Sequence, residues 1–152
     1  MSTYYVDKSA LIKRYLTEPG SEWVREITDP KAGNVIIICD LTAVEFFSAI
    51  ARRIREETIT EKNADVLHNR FEADLEHEYL SVPLESYVLK FARSLFTIGA
   101  YPLRSLDAIQ LASAIAAWHT LGESVPFVNA DKKLLAVADE IFPNTDNPNN
   151  HL

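Results

Sequence analysis

The sequence predicts an α/β domain built on a largely parallel sheet, and three observations carry that reading. Short strand-like runs alternate with helical stretches from one end to the other, the pattern of strands joined by crossovers over the sheet faces. The 152 residues match one domain in size, and 47% of them are hydrophobic, enough for a substantial core. No internal repeat or low-complexity linker divides the chain.

The elements follow from periodicity. A first strand is expected at Tyr4 to Val6, then helices at Ser9 to Leu16 and Ser21 to Ile27, and a second strand at Asn34 to Cys39. A third helix begins at Thr42, with Phe47, Ile50, Ala51 and Ile54 on one face, and ends in the charged stretch Arg52 to Glu57. A fourth runs from Glu61 to Glu78, presenting Ala64, Leu67, Phe71 and Leu75 at helical spacing. A short strand at Tyr79 to Val82 ends at Pro83, and a helix from Glu85 to Ile98 follows. After Gly99 and Pro102 come an uncharged-core helix from Ser105 to Leu121, a strand at Pro126 to Asn129 and a helix from Asp131 to Ile141. Phe142-Pro-Asn-Thr is a weak candidate for one more strand, and the polar C-terminus is expected to fray.

Composition excludes several classes. The longest uncharged run, Ala108 to Gly122, is shorter than the roughly 18 to 20 residues that span a bilayer, so no membrane segment is expected. The N-terminus enters a strand pattern without a basic leader, and Cys39 has no partner for an internal disulfide. A cytoplasmic location fits both. The net charge of −7 argues against a polyanionic substrate only while the acids stand alone; two bound divalent ions would bring it to −3 and invert the local field.

Ligands of open parallel sheets bind outside the carboxyl ends of the strands. Asp7 follows the first strand, Asp131 follows Phe127-Val128-Asn129-Ala130, and Glu45 lies in the first turns of the helix after the second strand. Asp107 is the one charged residue between Ser105 and Gly122. Each acid alone reads as a helix cap: Thr42-Ala-Val-Glu45 as a capping box, Asp131 as an N-cap, Asp107 in a first turn, Asp7 before a helix. As a set they repel, at about 1 to 4 kcal/mol per contact near 4 Å. A divalent cation removes that cost. All-oxygen ligation suits Mg²⁺ or Mn²⁺, and no Cys or His cluster offers a zinc site.

Four segments give the chain a family resemblance: Tyr5-Val-Asp7-Lys-Ser9-Ala-Leu-Ile-Lys-Arg14-Tyr, Thr42-Ala-Val-Glu45, Leu103-Arg-Ser-Leu-Asp107-Ala-Ile-Gln-Leu-Ala-Ser-Ala, and Phe127-Val-Asn-Ala-Asp131-Lys-Lys-Leu. On these the sequence resembles the PIN-domain family, and within it the VapC-type toxins of toxin–antitoxin pairs. The resemblance implies a PIN-like three-layer α/β/α fold with a mainly parallel sheet of four to five strands, spanning residues 1–142, with 143–152 as a polar tail. It implies that Asp7, Glu45, Asp107 and Asp131 form an acidic pocket for Mg²⁺ or Mn²⁺, and that the chain is an endoribonuclease. It further implies a homodimer inhibited by a VapB-like antitoxin. Two positions depart from the family pattern. Lys8 stands where a small or hydroxylic residue is usual, leaving Ser9 as the nearer hydroxyl, and Asn129 stands where Ser or Thr is usual. Lys8, Arg14, Arg104, Lys132 and Lys133 lie close in sequence to the acids and are candidates for phosphate contact.

Other readings fare worse. His68, His77, His119 and His151 have no Ser or Cys motif beside them, so no nucleophilic triad is supported, and His119 reads as a packed residue. A receiver-type phosphoacceptor needs an acid ending the third strand, where Val82-Pro-Leu stands. A haloacid-dehalogenase phosphatase needs an acid two after Asp7, where Ser9 stands. The remaining alternative is a catalytically weak PIN-like module that binds RNA or a partner. Tyr4, Phe46, Phe47 and Phe96 are expected in the core rather than as base-stacking platforms.

Overall fold

The computed structural model describes residues 1–122 and 125–152. Five strands, β1 (Thr3–Val6), β2 (Val35–Cys39), β3 (Tyr79–Val82), β4 (Phe127–Val128) and β5 (Thr145–Asp146), form one sheet in the order β3-β2-β1-β4-β5. Every pairing is parallel. The chain steps from central β1 to β2 and β3 on one side, then to β4 and β5 on the other. The order therefore reverses between β1 and β4, the place where open sheets leave a crevice at their carboxyl ends.

Seven α-helices among the described residues cover the sheet: α1 (Lys8–Tyr15), α2 (Ser21–Thr28), α3 (Asp40–Arg55), α4 (Glu61–His77), α5 (Ser86–Ile98), α6 (Ser105–Leu121) and α7 (Lys132–Ala138). The strands alternate their side chains between two cores, as a period of two requires. Tyr5, Ile37 and Cys39 pack with α5, α6 and α7, whereas Val6, Ile36 and Ile38 pack with α1, α3 and α4. Three layers result. The second core is strongly aromatic: Phe46 stacks on Phe71 at 4.0 Å between ring centroids, and Tyr15 meets both edge-on. Helix α6 buries Leu111, Ala112, Ala114, Ile115 and Ala117, which explains why it lacks the polar stripe of a surface helix.

Several expectations need correction. Helix α3 starts at Asp40, two residues before the expected Thr42. Thr42 is consequently not an N-cap; its hydroxyl accepts from the Cys39 N–H at 3.3 Å. His119 and Phe96 are exposed, because each falls on the outer side of a helix whose inner side fills the core.

The C-terminus is not frayed. β5 forms at Thr145–Asp146 rather than at Phe142, whose ring instead stacks on Phe127 at 5.3 Å. Beyond β5 a 3-10 turn, Pro148–Asn150, buries Pro148, and His151 stacks on Trp23 of α2 at 4.0 Å while meeting Asp146 at 2.7 Å. Gly20, at φ +86°, makes this approach possible, since a Cβ there would lie 2.4 Å from the Pro148 carbonyl oxygen.

Candidate metal centre

The acids reach the carboxyl edge of the sheet from four different elements. Asp7 directly follows β1 and caps α1: its Oδ2 accepts from the Ser9 N–H at 3.0 Å. Its own N–H donates to the Val128 carbonyl at 2.9 Å, which locks the residue between β1 and β4. Glu45 lies in the second turn of α3. Its Oε1 accepts from Gln110 Nε2 at 2.5 Å, so the carboxylate is turned towards α6 and takes no part in a capping box. Asp107 lies in the first turn of α6, where Arg104 Nε donates to its Oδ2 at 3.4 Å.

Three of the four form an electrostatic unit. Burial raises the Asp7 carboxyl above its usual range, and the charge of Asp107 pushes the same way against the Ser9 hydrogen bonds and Lys8. Burial, followed by the charge of Asp7, carries Glu45 up to about 7; Asp107 adds to this, while Gln110 and Lys8 oppose it. Asp7, Glu45 and Asp107 thus feel one another, and Lys8 is the cation that both Asp7 and Glu45 feel.

Asp131 stands at the margin. It caps α7, its Oδ1 accepting from Lys133 N at 2.9 Å and Leu134 N at 3.4 Å. Its link to Asp7 runs through polar neighbours: Ser9 Oγ donates to Asn129 Oδ1 at 3.1 Å and accepts from Ala130 N at 3.0 Å, and Asn129 Oδ1 also accepts from Asp131 N at 2.5 Å. Ser9 and Asn129 therefore tie the β1 and β4 loops together, which gives the nearer hydroxyl and the departure at Asn129 a structural task. Asn129 is fully buried and its Nδ2 has no hydrogen-bond partner among the described residues.

The remaining candidates separate. Lys8 is half-buried beside the acids, and Lys132 is exposed at the start of α7. Arg104 is extended into solvent apart from its contact with Asp107. Arg14 is not at the edge. It is buried, donates to Tyr79 Oη at 2.8 Å and pairs with Glu78 at 2.7 Å and Asp74 at 3.5 Å, so its charge is consumed inside the domain.

Gln110 is the residue that sequence reasoning passed over. It is buried, accepts from the Tyr5 hydroxyl at 2.6 Å and passes a donor to Glu45. The signal was a lone amide three residues after Asp107 in an otherwise apolar helix.

A PIN-domain sequence profile matches residues 4–140 of the chain. The chain belongs to the PIN-domain family. No curated protein matches this PIN domain in sequence. Among solved structures it is similar to FitAcB from Neisseria gonorrhoeae, at 17% identity and TM-score 0.64, with all of each chain covered. It is also similar to FitAB bound to the IR36 DNA fragment, at 16% identity and TM-score 0.67, covering 97% of this chain and 95% of that one. A third is VapBC2 from Rickettsia felis bound to a DNA fragment from its promoter, at 11% identity and TM-score 0.62, covering 95% and 98%. Similarity at these identities is a similarity of fold.

The donor set fits a hard divalent cation by its chemistry. Carboxylate oxygens dominate, and Asp7 and Glu45 are raised towards their neutral forms by burial first and then by neighbouring acids, the imbalance that a +2 ion corrects. Among the described residues, no three Asp, Glu, His or Cys side chains converge closely enough to hold an ion as they stand. Glu45 is turned to Gln110 and Asp131 to its own helix.

Proposed function

We propose that this PIN domain is a Mg²⁺- or Mn²⁺-dependent endoribonuclease, the toxin of a VapBC-type pair. The observation that carries the reading is the elevation of two carboxyls at the switch point of a parallel sheet, Asp7 by burial and then Asp107, Glu45 by burial and then Asp7 and Asp107. Asp7, Glu45 and Asp107 would hold the ion, with Asp131 at its outer side. The ion would supply charge for the phosphate and acidify a bound water. The protein's own contribution is placement. Gln110 holds Glu45, Ser9 fixes Asp7 by its N–H, and Asn129 steadies the loop that carries Asp131. Lys8 tempers the charge of the cluster and is positioned to meet a phosphate at its edge.

Titration of Mg²⁺, Mn²⁺ and Ca²⁺ against cleavage of a structured RNA tests this. Cleavage that rises with Mn²⁺ or Mg²⁺ and vanishes in EDTA is expected. Binding of RNA without cleavage at any divalent concentration would favour the second reading, a catalytically weak RNA- or partner-binding module, which the unconverged side chains support.

Two partners belong to the same proposal. The first is a second copy of the chain, supported by exposed apolar residues on β3 and α5: Leu80, Tyr87, Phe91 and Ile98. The second is a VapB-like antitoxin whose extended segment crosses the acidic edge and sets an Arg or Lys where the ion would lie. The likeness to the VapBC2 structure supports it. No helix among the described residues is long and apolar enough to cross a membrane, and the proposed site of action is the cytoplasm, where the RNA is.

A further inference from the structure

Beside the acids lies a polar cavity of about 540 Å³, of which the proposed chemistry uses only the rim at Lys8 and Ser9. Lys8, Ser9 and Ala130 form its rim on the side of the acidic edge. Its other walls come from α1 and α3, which bring Lys13, Arg52 and Arg53 to it. Four cations thus face two carboxylates, Glu18 and Glu56, in a chain whose net charge is −7.

The pairing inside the cavity is incomplete in charge. Glu18 serves two cations at once: Oε1 lies 3.8 Å from Lys13 Nζ and Oε2 lies 3.2 Å from Arg53 Nη2. The Lys13 side chain is only 7% exposed, so this three-residue unit carries an excess positive charge at a poorly solvated place. Arg52 is paired with Glu56 at 2.8 Å on the open side, where solvent screens the pair and an incoming anion can compete for the guanidinium. Lys8 contributes a further cation on the rim.

We infer that this cavity is a phosphate subsite that holds the RNA strand next to the acidic edge, with Arg53 and Arg52 as its principal anion contacts and Lys13 as the buried charge that keeps it positive. The inference rests on the ribonuclease reading and gives the strand a path: past Lys8 and Ser9 and along α3. Arginine suits the task, because its planar fork can meet a phosphate with two N–H donors. The contacts are to the backbone, so the subsite adds affinity without reading sequence.

The test measures binding of a labelled 12-nucleotide single-stranded RNA to the full chain in EDTA, as a function of salt. The variants are Arg52→Gln with Arg53→Gln, the charge-matched control Lys62→Gln with Lys90→Gln, and Arg53→Lys. Circular dichroism checks the fold of each. In single strands each phosphate contact contributes about 0.7 to the slope of log affinity against log salt. The double arginine variant is expected to lose about 1.4 from that slope and about tenfold in affinity at low salt. The control should keep the parental slope, and Arg53→Lys should fall between parent and double variant. In Mn²⁺, the double variant should raise KM for RNA cleavage and leave kcat near parental. The subsite is overturned if the parent binds no RNA, or if the control loses as much slope as the double variant. A parent that binds through the subsite yet cuts nothing would leave the subsite standing and sink the nuclease reading; parental KM and slope in the double variant would do the reverse.

Discussion

At the scale of single residues, the charge on Glu45 decides how the metal-free protein answers to pH. Its carboxyl is raised from 4.5 to about 7, by burial first and then by Asp7. A raised acid binds more protons in the folded than in the unfolded state, so the slope of unfolding free energy against pH is negative between those values. In EDTA, stability should therefore fall as pH rises from about 4.5 to 7, and Glu45→Gln should flatten the fall. Thermal melts of the two proteins across that range check it; an equal fall in both would show that the charge of Glu45 is not the cause. Gln110 gives a second prediction at this scale. Gln110→Leu takes the 2.6 Å acceptor from the buried Tyr5 hydroxyl and releases Glu45, and should cost about 1 to 3 kcal/mol in urea unfolding, the penalty of a weakened buried polar network. The acids were legible in the sequence because they follow strands or open helices. Gln110 was not, because a buried amide looks the same in sequence whether it spans two elements or packs alone.

The elements show the same division between local and distant information. β3 and α6 lie where periodicity places them, since their boundaries are set by Pro83 and by the apolar run itself. The start of α3 was displaced, because Asp40 continues β2 directly into the helix and Thr42 caps from inside the first turn. β5 was only weakly marked, its candidate Phe142-Pro-Asn-Thr meeting the strand at Thr145 alone, as the two polar residues Thr145 and Asp146 owe their conformation to pairing with β4. Its anchor is equally non-local, resting on Gly20 in one loop and Pro148 in another. Gly20→Ala should therefore destabilise the domain by at least about 2 kcal/mol, from a left-handed backbone and a Cβ set against a carbonyl. Equilibrium unfolding checks it. A neutral result would mean that the C-terminal segment yields at no cost, and with it the account of a docked tail.

For the whole molecule, the sheet order and the acids act together. A parallel sheet whose strand order reverses between β1 and β4 leaves Asp7 and the Asn129–Asp131 loop facing one crevice, and α3 and α6 deliver Glu45 and Asp107 to it. The apolar face of α5 bears on assembly. If the chain pairs through it, Tyr87→Glu with Phe91→Glu should convert a dimer to a monomer in light scattering, while an unchanged mass would remove that face from the interface. Co-expression with a gene product encoded beside it should give a tight complex with suppressed cleavage if the antitoxin proposal holds. The central claim, that these carboxylates are ion ligands and not merely caps, is tested by amide replacement. Asn caps a helix about as well as Asp, so folding should survive in Asp7→Asn, Asp107→Asn and Asp131→Asn. Relief of repulsion should leave the metal-free variants as stable as the parent or more so, by up to about 1 kcal/mol per contact removed. Mn²⁺-dependent RNA cleavage, measured beside melts in EDTA, is the direct measurement: Asp7→Asn, Glu45→Gln and Asp107→Asn should lose most activity, and Asp131→Asn less. Normal folding with parental cleavage in Asp7→Asn and Asp107→Asn would contradict the account and leave these acids as caps.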